Sequence, residues 1–187
     1  MARLFSGRYG DQGDEISSNL HAPYYMETLL GIGFNLQTQG GGTTTTAGLA
    51  TTWTGLGFAN PANSGVNAVL TKFSVTQTAA GAAASIGIMG GVGVITSTLT
   101  PQPTIIGGTA VSKMNGSAGA TISTPVLIAT VGSVGSLATT GYAMEPPTLY
   151  DFEGSVIVPP GSFVCSYTSG ITTTALQFGF FWFEVPI

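Results

Sequence analysis

The sequence predicts an all-β protein, an antiparallel β-sandwich or jelly roll of about eight strands with an extended N-terminal arm. Three observations predict it. Short apolar runs alternate with Gly- and Pro-rich breaks along most of the chain. Thr and the β-branched residues that favour strands fill those runs. No amphipathic helix of useful length is visible. Repeated short strands of this kind bury their apolar faces by packing as two sheets.

Residues 1–27 are read as the arm and 28–187 as the sandwich. The arm holds Arg3, Arg8, Asp11, Asp14, Glu15 and Glu27, half of the charged residues in the chain. Gly7, Gly10 and Gly13 argue against a stable helix there. Leu4, Phe5, Tyr24, Tyr25 and Met26 are apolar anchors for contact with the body or with a neighbouring subunit.

The first strand is expected over 29–37, ending at the flexible run Gly40–Thr46. A short strand over 51–58 leads to the turn cluster Asn60-Pro61-Ala62-Asn63-Ser64-Gly65. Residues 66–77 follow, with Val69, Thr71, Phe73 and Val75 on one face at period two. Ala79–Ala84 is too short to be a helix unaided and reads as a bend. In Ser85–Ile95 apolar residues alternate with Gly, which lets another backbone come close. Further strands are expected over 105–111 and 120–131, the second an edge or bulged strand because Pro125 lies inside it. Residues 132–147 read as loop, 153–158 as strand, Pro159-Pro160-Gly161 as a turn and 162–168 as the next strand. The last strand, from Leu176, turns apolar on both faces towards Phe181, Trp182 and Phe183, so it should be central and covered.

With 187 residues the chain is long enough to bury roughly 70% of its unfolded surface in one core. Charged residues make up only 6% of it, against about 25% in a typical soluble domain. No apolar run approaches the ~18–20 residues of a spanning helix, so a membrane is not expected as partner. The four basic residues are scattered, which excludes the clustered Lys and Arg of a nucleic-acid binder. A Thr-, Ser- and Gly-rich surface with net charge −4 repels its own copies weakly and favours association. The N-terminus lacks the layout of a secretory signal, so synthesis in a host cytoplasm without export is expected.

Catalytic patterns are lacking. One histidine, His21, and one cysteine, Cys165, exclude zinc sites built from those residues, and Cys165 reads as a small buried hydrophobe. Neither a nucleophile elbow nor a P-loop occurs. Asp11, Asp14 and Glu15 lack EF-hand spacing and read as a solvated acidic turn. Glu145, Asp151 and Glu153 offer paired carboxylates but read as a polar loop at one end of the sandwich. Asn115-Gly116 reads as a turn. The chain is expected to be no enzyme, with no catalytic residue, metal or cofactor.

Two segments carry a resemblance: Asn60-Pro61-Ala62-Asn63-Ser64-Gly65-Val66-Asn67-Ala68-Val69-Leu70, and Val156-Ile157-Val158-Pro159-Pro160-Gly161-Ser162-Phe163 with the terminal Phe181-Trp182-Phe183-Glu184-Val185-Pro186-Ile187. They resemble the jelly-roll-like decoration or cement proteins of tailed bacteriophages and related small virion proteins. That resemblance implies a homotrimer on the capsid surface that binds the major capsid protein and stabilises the shell. Leu4, Phe5, Tyr24, Tyr25, Met26, Phe181, Trp182 and Phe183 are then the candidate arm and interface contacts. Two other readings stand beside it: a receptor- or glycan-binding spike or tail component, and a single-jelly-roll shell subunit.

Overall fold

The computed structural model describes residues 25–40, 42–79, 82–134, 148–172 and 176–187. Ten strands follow a single helical turn: α1 (Tyr25–Leu29), β1 (Gly33–Gln37), β2 (Thr52–Asn60), β3 (Val66–Gln77), β4 (Ala84–Val92), β5 (Gln102–Pro103), β6 (Asn115–Thr121), β7 (Val126–Val134), β8 (Thr148–Val158), β9 (Ser162–Thr168) and β10 (Leu176–Pro186). They form two antiparallel five-stranded sheets, ordered β5-β1-β10-β3-β8 and β6-β2-β9-β4-β7.

Setting aside β5 and β6, the other eight strands pair in a nested series. Strand β1 pairs with β10, β2 with β9, β3 with β8 and β4 with β7, all antiparallel. This is a long hairpin folded over itself into two four-stranded sheets, the jelly roll. The chain is therefore a jelly-roll β-sandwich, and β5 and β6 belong to an insertion, residues 93–125, between its fourth and fifth strands.

The main core lies between the sheets. Phe34, Leu36, Leu70, Phe73, Phe178, Phe180 and Trp182 from one sheet meet Leu56, Phe58, Ile86, Ile88 and Val164 from the other. Trp182 stacks on Phe58 with centroids 4.3 Å apart, and Phe58 meets the ring of Phe180 edge-on at 5.8 Å. β10 is central in its sheet, as its apolar residues on both faces require.

The structure corrects several expected elements. Residues 105–111 form no strand, although two isoleucines and Val111 occupy them; the insertion pairs instead through β5 before them and β6 after them. The strand expected over 120–131 is two, β6 and β7, because Pro125 breaks the ladder just before Val126. Asn115-Gly116 opens β6 and is not a turn; Gly116 pairs with Phe58, and a Cβ there would meet Leu99 O and the Leu36 side chain. β8 begins at Thr148 and not at 153. In β3 the period-two phase slips at Thr71, the extra residue of a bulge against β10, whose hydroxyl donates to Phe181 O at 3.0 Å. Phe73 and Val75 therefore enter the core with Ala68 and Leu70, whereas Val69 faces outward. Tyr25, Met26 and Glu27, the described end of the arm, lie in α1, which buries none of its residues.

Candidate interaction surface

The two long sides of the sandwich are built differently. On the β1/β2 side the insertion seals the gap between the sheets. Its β5 pairs with β1, and its β6 pairs with β2. Met114 enters the main core, and Leu99 and Ala110 pack against it. The segment is latched by Glu184 of β10, a buried carboxylate. It accepts hydrogen bonds from the Ser112 hydroxyl, from Lys113 N at 3.0 Å and from Trp182 Nε1 at 3.3 Å. A buried carboxylate is tolerated where donors surround it in this way.

The insertion also covers the outer face of the β2/β9/β4 sheet. Ile95 and Ile122 pack there on Trp53, Ala59, Met89, Phe163 and Cys165, a second apolar cluster. Within that sheet the neighbouring strands come close enough to require glycine: a Cβ at Gly87 would meet Ala129 O of β7, and one at Gly90 would meet Phe163 O of β9. Burial pushes the Cys165 thiol well above its ordinary pKa.

The opposite side, where β7 and β8 are the outermost strands of their sheets, carries apolar side chains into solvent. Val126 is 54% exposed, Ile128 47%, Leu149 58% and Ile157 55%, with Leu127 and Tyr150 only slightly more covered. Three consecutive residues, Val126-Leu127-Ile128, are exposed on this edge strand, Leu127 opposite Met89 on the outer face and Val126 and Ile128 beside the groove. The register against β4 slips at Ile128 and again at Val131, leaving each unpaired as a bulge. β8 is broken further: Leu70 pairs with Val156 but Lys72 with Asp151, so Phe152–Ser155 oppose Thr71 alone. Glu153 (φ 51) and Gly154 (φ 77) turn this bulge through the left-handed region, and Glu153 N donates to Asp151 Oδ1 at 2.9 Å. The bulge drives Phe152 inward, its ring 4.7 Å from Tyr150.

Between these strands lies an apolar groove of about 190 Å³, lined by Gly91, Val126, Ile128, Val156, Pro159 and Phe163 among others. The charged groups described on β8 are Asp151 and Glu153, and Lys72 of β3 pairs with Asp151 at 3.7 Å. Low charge, exposed aliphatic side chains and a groove make this side a surface suited to burial against protein.

At one end of the sandwich the Thr-rich patches at 43–46, 51–54 and 172–174 converge, as far as they are described. Thr168 Oγ1 donates to Thr45 Oγ1 at 2.7 Å, which lies 2.8 Å from Thr172 Oγ1, all three buried. Thr46 and Thr54 hydroxyls meet at 3.0 Å. The other end holds the tight turns, where the Asn60 amide donates to Val66 O and Val158 O at 2.8 and 2.9 Å and ties two of them together.

Of the candidate contacts, Leu4, Phe5 and Tyr24 lie outside the described residues. Tyr25 and Met26 are nearly half exposed beside Leu29 and Leu30. Phe181 and Phe183 point to the outer face of their sheet, Phe181 partly exposed and Phe183 buried. Trp182, 1% exposed, belongs to the core and offers no surface. Glu145, Asp11, Asp14, Glu15 and His21 also fall outside the described residues, and among the described residues no group of three metal-ligating side chains forms. No helix among them is long and apolar enough to cross a membrane. The strip on β7 and β8 was not singled out from sequence; Pro125 followed at once by Val-Leu-Ile, an apolar run on an edge strand, is the signal that marks it. No protein-family model, curated protein or solved structure matches the chain.

Proposed function

We propose that the chain is a virion structural protein, a decoration or cement subunit that sits on the outside of a capsid, binds major capsid subunits and associates with its own copies, a trimer being favoured. The observation that carries this reading is the exposed aliphatic strip on β7 and β8 of a jelly roll whose surface is nearly uncharged. A monomer living free in solution gains nothing from such a strip, whereas an assembling subunit buries it. The jelly roll itself is a fold that virion proteins share with lectin domains and cupins, so the fold is compatible with the reading without selecting it. The sequence resemblance of the 60–70, 156–163 and 181–187 segments to phage decoration proteins supports the virion among these.

Cryo-electron microscopy of the parent particle tests the proposal. Jelly-roll density standing on the outer surface of the shell is expected. Density confined to a tail or spike would favour the receptor- or glycan-binding reading, density within the shell itself the shell subunit, and a particle lacking the chain would overturn the proposal.

A further inference from the structure

We infer that the β7/β8 side is a self-association surface and that its occupant is another copy of this chain. The inference rests on the assembling-subunit reading above and names the surface that reading leaves open. Four observations carry it.

The first is area. Val126 and Ile128 line the groove between the sheets, and Leu149 and Ile157 flank it on the outer face of β8; their half-exposed side chains present about 350 Å² of apolar surface, within the range for a monomer's largest patch. It is nearly half of the ~800 Å² that each partner contributes to a standard stable interface. The second is charge. Asp151 is already paired with Lys72, which leaves Glu153 as the one charged group of β8 beyond that pair. A surface this neutral meets its own copy with little repulsion, whereas a partner chosen by charge would need a complementary field that this strip does not supply.

The third is the backbone. An edge strand ordinarily recruits another strand through its free N–H and C=O groups, but the bulges at Ile128, Val131 and Phe152–Ser155 break both ladders. The occupant therefore packs through side chains and brings a folded surface of its own; an added peptide strand would find no continuous ladder. The fourth is shape. β8 exposes Leu149 near its start and forms one wall of the groove at its end, Val156 to Pro159. An exposed aliphatic side chain of another copy has the size to enter that groove, a head-to-tail contact of the kind a trimer repeats.

The test is the solution mass of the full chain by light scattering and sedimentation, over a concentration series. The wild type is expected to associate. Ile128→Glu with Ile157→Glu should weaken that association about 100-fold or more, by burying carboxylates in an apolar contact. Ile106→Glu with Val111→Glu, at exposed apolar positions of the insertion on the β1/β2 side, should leave the mass unchanged. If the first pair disturbs the far-ultraviolet circular dichroism, Ile128→Thr with Ile157→Thr should still weaken association about tenfold through lost apolar area. A wild type that stays monomeric, or strip variants that keep the wild-type mass, would overturn the inference. A lone monomer that is nevertheless found on capsids would overturn this inference and leave the virion reading standing. Association through the strip in a protein absent from particles would do the reverse.

Discussion

The β1/β2 side and the β7/β8 side of this sandwich face the same problem and solve it differently. Both are places where two sheets end and a core would otherwise meet water. On the first side the chain covers itself: 33 residues of insertion add a strand to each sheet, place Met114 in the core and anchor Ser112 and Lys113 on buried Glu184. On the second side no described segment does the same, and half-exposed Val, Leu and Ile side chains remain beside a groove. The edges there are blunted only against strand addition, by bulges. Among the described residues, then, one side is sealed by the chain itself and the other is open, and the proposed association uses the open one.

The contrast predicts where mutations will hurt the isolated fold. The largest effect should come from Glu184→Ala, which leaves the buried Trp182 indole N–H and the part-buried Ser112 and Lys113 donors without their acceptor. A loss of about 4 kcal/mol is expected, read as a lower denaturant midpoint at unchanged slope. Ile95→Ala should cost about 3 kcal/mol, because Ile95 is fully buried where the insertion covers its sheet. Its neighbour Val94 is exposed, and Val94→Ala should stay within ~0.5 kcal/mol. Equal costs at 94 and 95 would mean that the insertion does not seal the sheet.

Cys165 reports on the same covered face. Its pKa is raised in the folded state by burial alone, so the folded chain holds the thiol proton at pH values where the unfolded chain has released it. Below the ordinary thiol range, near ~8.5, the group contributes no pH dependence; above it, stability falls by up to about 1.4 kcal/mol per pH unit. Cys165→Ala should remove that part of the slope between pH 8.5 and 10.5 in denaturation curves, and a slope unchanged by the substitution would contradict a sealed face. The smallest effect belongs to the open side. Ile157→Ala should change the stability of the dissociated chain by less than ~0.5 kcal/mol while weakening association, and a large loss in the dissociated chain would place Ile157 in the core instead.

How much of this was legible in the sequence depends on the range of the interaction concerned. Local signals held: the turns at Asn60–Gly65 and Pro159–Gly161, the burial of Cys165, and the central place of β10, whose residues are apolar on both faces. Long-range pairing did not show through. The bulge at Thr71, which sends Val69 outward, arises from pairing with β10 and β8, and nothing in the period of β3 itself announces it. Leu149 and Tyr150 lie between the loop expected over 132–147 and the strand expected over 153–158, beside Pro146, Pro147 and neighbouring carboxylates, yet they stand near the start of β8. Trp182 was grouped with Phe181 and Phe183 as a contact residue, but strand alternation separates it from them and sends it into the core. The interaction strip joins residues from β7 and β8, and that the two edges lie on the same side follows only from the nested pairing. The Thr-rich patches could be seen from composition, but not that three buried hydroxyls would bind two of them together.

Hydrogen–deuterium exchange measured over a concentration series tests the central claim most directly. As the chain associates, peptides from 126–134 and 148–158 should exchange more slowly, while those from 102–121 keep the same rate at every concentration. Slowing confined to other segments, or none on β7 and β8 in a protein that demonstrably associates, would contradict the account.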